Sequence, residues 1–492
     1  MTKLSEESLS HLPPGVARPG YDRSQLSTGI VHFGVGGFHR AHQAMYLDTL
    51  MNQGLALDWA ICGVGVLPQD AAMKTVLDSQ DCLYTLMLKY PDGTREARVI
   101  GSIVEYLYAP EDPEAVIEKM ALPGTRIVSL TITEGGYSIS DTTGEFDAGT
   151  PQVAADLAPG AVPSGVFGLV TEALRRRRDR GLGAFTVMSC DNIPGNGEVA
   201  RKAFGEFARL LDPELGEWVL ANVAFPSSMV DRITPVTTDE DRTLLAQEFG
   251  VEDAWPVVSE DFAQWALEDT FVQGRPPWED AGVSVTADVE PFERMKLRLL
   301  NCGHQGIAYL GYLAGYRYAH EAVADPKLAR FLLDYMDKEA TPTLLPVPGV
   351  DLDAYKRRLL ERFGNEYVRD TLARLCAESS DRIPKWLVPV VRENLARDGE
   401  VSRSAAIIAA WARYAEGVDE AGEPINVLDR HREDVMKAAA RNREDPLAFV
   451  SQPQFFGELA ADPRFTGAYL AALDALHSHG AKAAVAGLVD GA

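Results

Sequence analysis

Lys296, Asn301 and His304 fall within one short stretch, Lys-Leu-Arg-Leu-Leu-Asn-Cys-Gly-His. Leu297, Leu299, Leu300, Ile307, Ala308, Leu310 and Leu313 leave a helix here with little solvent-facing surface. Wound as an α-helix, the segment puts Asn301 about 140° and His304 about 80° from Lys296, on one broad side. An amine, an amide and an imidazole on an apolar helix are costly unless partners satisfy them. A cap and an ion pair at a helix start would be one account. The other is chemical. A buried lysine near other cations has a lowered pKa and can take a proton at neutral to alkaline pH. Amide donors such as Asn301 can stabilise a developing oxyanion. Together they suit oxidation of a secondary alcohol without a metal.

A second amide stands in Asp191-Asn192-Ile-Pro-Gly-Asn196-Gly, just after an apolar run that ends at Cys190. A plain turn would explain such a loop. The C-terminal end of a parallel strand is also where ligands bind in such sheets. Asn192 is therefore expected to meet Lys296 across a domain cleft.

Gly34-Val-Gly36-Gly37-Phe38-His39-Arg40 follows a first strand and opens a first helix. Glycines there let the backbone approach a pyrophosphate, and the helix start offers free N–H groups. A full G-x-G-x-x-G would need glycine where His39 stands, so the motif alone is equally a tight turn. Asp70, shortly after a second strand, can accept from ribose hydroxyls, which favours NAD over NADP. It would serve equally as a helix-start acid. His39 and His42 share a helix face. No third ligand accompanies them, and no metal is expected.

The elements that must position these groups change character along the chain. Gly29 to Phe33, Trp59 to Val64, Arg126 to Thr133 and Ala184 to Cys190 read as strands, with a helical segment from His39 to Met51. Strands alternating with helices imply a mainly parallel sheet. From about Pro291 no convincing strand is found. Helical patterns run over Lys296 to Tyr316, Leu328 to Glu339, Ala354 to Phe363, Val401 to Glu416 and Val435 to Ala440. The expected fold is α/β: a Rossmann-like dinucleotide-binding domain over residues 1–285 and a mostly α-helical substrate and catalytic domain over 286–492, the break lying between Gly282 and Pro291.

The 492 residues are too many for one ordinary domain. A net charge of −25 repels nucleic acid phosphate and anionic lipid. The basic run Arg175 to Arg178 closes an apolar periodic stretch and reads as a solvated last helical turn. Five scattered cysteines suit free thiols in a reducing cytoplasm. The first twenty residues lack the apolar core of a signal peptide, and no run reaches the ~18 apolar residues of a membrane span.

His32 to Asp48, Val128 to Tyr137, Phe185 to Gly197, Met229 to Pro235 and Lys296 to Gln305 together resemble the polyol-specific long-chain dehydrogenases/reductases through nearly the whole chain. The resemblance is nearest to the branch that interconverts D-mannitol and D-fructose with NAD. It implies Lys296 as general base in oxidation and acid in ketone reduction, with Asn192 and Asn301 around the reacting oxygen. It implies His304 as a substrate-orienting group, Glu293 as a link from the lysine to solvent through water, and Asp231 as a substrate-hydroxyl contact. It also implies that no zinc is needed and that the chain is a monomer.

Two departures stand out. That branch carries an Arg and, eight residues later, a Lys near the substrate; here these positions are Arg374 and Arg382. Arginine keeps the charge with a different donor fork. An acid often found before Asp70 is Gln69 here, which softens discrimination against a 2′-phosphate. D-arabinitol, D-sorbitol or a uronate such as fructuronate is the alternative substrate, since Arg374, Arg382 and Lys385 offer cations for a carboxylate. A non-catalytic dinucleotide sensor would have no need of the Lys, Asn, Asn and His set.

Overall fold

Ile30, Val31 and Phe33 alternate with Gly29 and His32 in a run apolar enough to be covered on both faces, as a central parallel strand must be. They form β1 (Thr28–Phe33), which continues with β2 (Ala60–Gly65), β3 (Ile103–Tyr108), β4 (Ile127–Leu130) and β5 (Thr186–Ser189) into one sheet. The order is β3-β2-β1-β4-β5, with every neighbouring pair parallel. The chain winds outward in one direction from β1 and then in the other, so a crevice opens beyond the strand ends at β1 and β4. The computed structural model describes residues 2–140 and 144–491.

Helices cover both faces of this sheet. Val31, Phe33, Val64, Val128 and Val187 point into one core with residues of α4 (Pro113–Ala121), α5 (Val166–Asp179) and α6 (Asn196–Leu211). Ile30, Ile61, Ile127 and Met188 point into the other, against α2 (Gln43–Asn52) and α3 (Asp70–Ser79). Three further sheets were not legible in advance, one of them only the pair Thr2–Lys3 and Val251–Glu252. A second orders Val257–Glu260, Tyr84–Lys89, Arg95–Ile100 and Val16–Ala17; the third orders Ser228–Asp231, Gln264–Glu268 and Ser284–Thr286. These strands are short, several carry charges, and Tyr84–Lys89 pairs with a strand far along the chain.

The chain divides into two compact units, Met1–Glu290 and Pro291–Ala492. In the second, the described residues hold helices and isolated bridges but no strand. Its centre is α7 (Cys302–Leu313), buried on every residue but Tyr312. A helix apolar all round has to be enclosed. Around it stand α8 (Pro326–Tyr335), α10 (Ser379–Ala396), α11 (Ser402–Tyr414) and α12 (Pro463–Asp490), with α9 (Leu352–Phe363) nearby. Two expected helices are interrupted. The helix expected to start at Lys296 starts earlier, at Glu290–Met295, and is interrupted by a π-helical turn, Lys296–Asn301, before α7; α8 runs into another, Met336–Ala340. Long α10, with prolines at 384 and 389, and α12, with a break at Gly480, gave no clean periodic signal.

Candidate active site

β1 ends at Phe33 and the chain turns at Gly34, whose N–H donates to the Val64 carbonyl at 3.2 Å. Gly34 has φ +91°, and a Cβ there would overlap the Thr131 carbonyl oxygen. Only glycine suits both conditions. Gly36 caps α1 (Gly37–Ala41), and the first intrahelical bond is from Arg40 N–H to Gly36 O. The N–H groups of Gly37, Phe38 and His39 precede it, as an anion-binding helix start requires.

His39 occupies the place of a third glycine. That glycine normally permits close packing of helix on strand. Here a flat contact does so: the rings of His39 and His32 stack with centroids 3.4 Å apart and 12° between planes. His32 is tied to Ser129 Oγ at 2.8 Å and Thr131 Oγ1 at 3.0 Å, and burial pushes its pKa down to about 3. His42 bonds the Gln264 carbonyl at 3.0 Å, and the Phe38 ring stacks on it. Arg40 turns inward, donating to the Trp255 carbonyl at 2.6 Å, so its side chain braces the turn from behind. Among the described residues no cluster of His, Cys, Asp or Glu could hold a metal ion.

Asp70 opens α3, just past β2. Its Oδ2 accepts from the N–H groups of Val66 and Leu67, both at 2.9 Å. One carboxylate oxygen thus fixes the strand-to-helix turn while the group stays half-exposed at the strand end. Asn192 is half-buried beyond the end of β5, and Asp231 closes the strand Ser228–Asp231, buried. The glycine turn, Asp70 and Asn192 all follow C-terminal ends of core strands.

In the second unit, Lys296 and Asn301 are the first and last residues of the π turn, 7% and 9% exposed. The N–H of Cys302 donates to Leu297 O, five residues back. The wider winding brings Asn301 to about 50° from Lys296 instead of about 140°, and His304 nearly into line with the lysine. The three side chains therefore share a narrower face than α-helical winding allows. The Asn301 Oδ1 is buried without a hydrogen-bond partner. The His304 ring packs on Phe363 of α9, centroids 4.2 Å apart. Glu293 lies one turn before Lys296 and is half-buried.

A family model described as the mannitol dehydrogenase Rossmann domain matches residues 28–280, and one described as the mannitol dehydrogenase C-terminal domain matches 288–477. The chain belongs to the mannitol dehydrogenase family. It is 46% identical to a mannitol 2-dehydrogenase of Phaeosphaeria nodorum, over 98% of this chain and 85% of that one. Among solved structures it resembles Pseudomonas fluorescens mannitol 2-dehydrogenase in ternary complex with NAD and D-mannitol, with 45% identity, TM-score 0.92 and 99% of both chains covered. It also resembles a substrate-free D-sorbitol dehydrogenase, with 40% identity, TM-score 0.90, and 98% of this chain and 100% of that one covered.

Within this mannitol dehydrogenase architecture, Arg374 and Arg382 lie close together. Arg374 grips Asp370 with two bonds of 2.7 and 2.6 Å. Arg382 Nη1 reaches the carbonyls of Arg374 and Leu375 at 3.4 and 3.2 Å. Gln305 of α7 donates to Leu375 O at 3.1 Å, which docks the short Arg374 helix on the helix that follows Lys296. Sequence reasoning passed over Gln305 and two further supports. Asp191 accepts from the N–H groups of Ile132 and Thr133 and from Tyr137 at 2.7 Å, and burial raises its pKa to about 6. Asn196 bonds Asp191 O, Ser228 O and Ser228 N–H, holding the Asn192 loop in place. Their signal was the unbroken Asp-Asn-Ile-Pro-Gly-Asn string, of which only Asn192 was singled out.

Proposed function

We propose that this chain oxidises D-mannitol to D-fructose with NAD and carries out the reverse reduction with NADH, with Lys296 as the proton-transfer residue. One observation carries the reading: a buried lysine shares one helix face with a buried amide and with an imidazole held by an aromatic ring. Near-complete coverage by a chain solved with NAD and D-mannitol supports the substrate and cofactor. The glycine turn fits a dinucleotide, because a side chain at Gly34 would fill its cradle and the start of α1 presents unbonded N–H groups. Gly34, Gly36, Gly37, Phe38 and His39 would hold the pyrophosphate, with Arg40 behind them and Asp70 at the adenosine ribose.

When NAD is bound it would supply the hydride acceptor for C2 of the polyol. Lys296 Nζ takes the proton from the C2 hydroxyl and returns it in the reverse direction. Asn192 and Asn301 donate to the oxygen as its charge develops. His304 orients the substrate, Glu293 passes the lysine's proton towards water, and Asp231, Arg374 and Arg382 contact the remaining hydroxyls. The same reading makes the chain a monomer in a reducing cytoplasm. It is supported by five buried, unpaired cysteines; among the described residues, no helix is long and apolar enough to cross a membrane. Light scattering at the mass of one chain checks the monomer.

The likeness to a D-sorbitol dehydrogenase favours one second reading, in which the polyol is D-sorbitol. Both hexitols give D-fructose on oxidation at C2 and differ in the face that loses hydride. Reducing D-fructose with NADH and identifying the product separates them: mannitol is expected, and sorbitol in its place overturns the assignment. Fructuronate and D-arabinitol belong in the same panel.

A further inference from the structure

In an α-helix the N–H of Cys302 would donate to the carbonyl four residues back, that of Arg298. Here it donates to Leu297 O and Leu299 O. The Arg298 carbonyl thereby loses its α-helical donor inside a buried segment, where an unpaired carbonyl is unfavourable. The Tyr335 hydroxyl fills the vacancy, donating to Arg298 O at 3.0 Å. Tyr335 is fully buried, and burial with the neighbouring Cys302 thiol holds its phenol well above the usual range, so it remains a donor. The Arg298 side chain is held as well. It donates to Thr343 O at 2.8 Å and to the two Glu393 oxygens at 2.8 and 2.6 Å. All these groups belong to the second unit.

We infer that Tyr335 is a positioning residue for the chemistry at Lys296. Its hydroxyl keeps the Arg298 carbonyl out of α-helical pairing, and so preserves the wide turn that brings Asn301 and His304 beside the lysine. Without that donor, Arg298 O regains its α-helical partner when Cys302 N–H returns to it. That return swings Asn301 back to about 140° from Lys296. The amine stays, while the amide leaves the reacting oxygen. The inference rests on the assignment of Lys296 as the proton-transfer residue.

The test is Tyr335→Phe in the full chain, assayed on D-mannitol with NAD beside Lys296→Ala. The expected result is a kcat lower by about tenfold or more, with KM for mannitol within about threefold and NADH binding unchanged. The pH dependence of kcat should shift too, because the oxygen has lost an amide donor. A tyrosine that serves packing alone lowers the thermal midpoint and leaves kcat and its pH profile as in the parent; that outcome overturns the inference. If Tyr335→Phe does not fold, Glu393→Gln loosens the Arg298 clamp at a side chain 41% exposed. Its kcat should fall by about threefold at constant KM, and an unchanged kcat again overturns the inference. Parental turnover in Lys296→Ala defeats the underlying assignment. An inactive Lys296→Ala beside a fully active Tyr335→Phe defeats the positioning role alone.

Discussion

The turn at Gly34 and the turn at Lys296 both depart from regular backbone to aim polar groups, and they are built in opposite ways. At Gly34 the conformation belongs to the residue: φ is +91° and a Cβ has no room beside Thr131. At Lys296 no residue of the π turn is glycine or proline, and the conformation belongs to the surroundings, namely Tyr335 at the backbone and Glu393 at the side chain. A residue-encoded turn is broken by changing that residue. A context-encoded turn is broken from outside it.

Lys296→Ala should produce the largest loss, about 100-fold or more in kcat, with NADH quenching of fluorescence nearly unaltered. Oxidation by the parent should speed up between about pH 6 and about pH 10, and the variant should lose that rise. His32, with its pKa near 3, contributes nothing to such a profile in that range. Asn301→Ala and Asn192→Ala come next, each lowering kcat by about tenfold to a hundredfold while KM changes less. Equal, small losses in kcat and stability would instead place these amides in packing.

Gly34→Ala should act mainly on the first unit. A stability cost of about 1–3 kcal/mol and weaker NADH binding are expected, read by urea titration and fluorescence. An unperturbed variant would show that the turn tolerates a side chain and would erase the contrast with Lys296. A smaller effect is expected from Asp191. Its pKa in the folded chain, about 6, lies above the ordinary 3.8, so the folded state holds this proton more tightly than the unfolded chain. Its contribution to stability therefore improves as pH falls from about 6 towards about 4, and declines as pH rises through that window. Urea midpoints of parent and Asp191→Asn across that range should differ in slope; parallel curves would remove Asp191 as the source. Asp70→Ser should do least, raising NADPH use relative to NADH by a few-fold.

Four of the five core strands were legible because buried parallel strands read as continuous apolar runs, and the glycine turn because glycine marks positions that other residues cannot occupy; β3, half-buried at the sheet edge and carrying Glu105, gave no such run and was missed. The Lys296 segment was legible as a polar set on an apolar helix, while its winding was not. α-Helical and π-helical turns use the same residues, and the difference is a single displaced hydrogen bond. His39 was read as a flaw in a glycine pattern, because the ring it stacks on lies in the preceding strand. Asp191 stood in a polar string the sequence offered, but its role and that of Gln305 as supports were not legible, since their partners at Ile132, Tyr137 and Leu375 are remote in sequence.

By itself the amino-acid order determined the alternating first half, the helical second half, the glycine turn and the amine, amide and imidazole set. These follow from local sterics and from hydrophobic periodicity, which each segment carries in its own residues. The tertiary structure alone decided the three extra sheets, the inward turn of Arg40, the stacking of His39 and the π winding at Lys296. Each of those depends on a hydrogen bond or a ring contact with a partner the chain delivers only after it has folded.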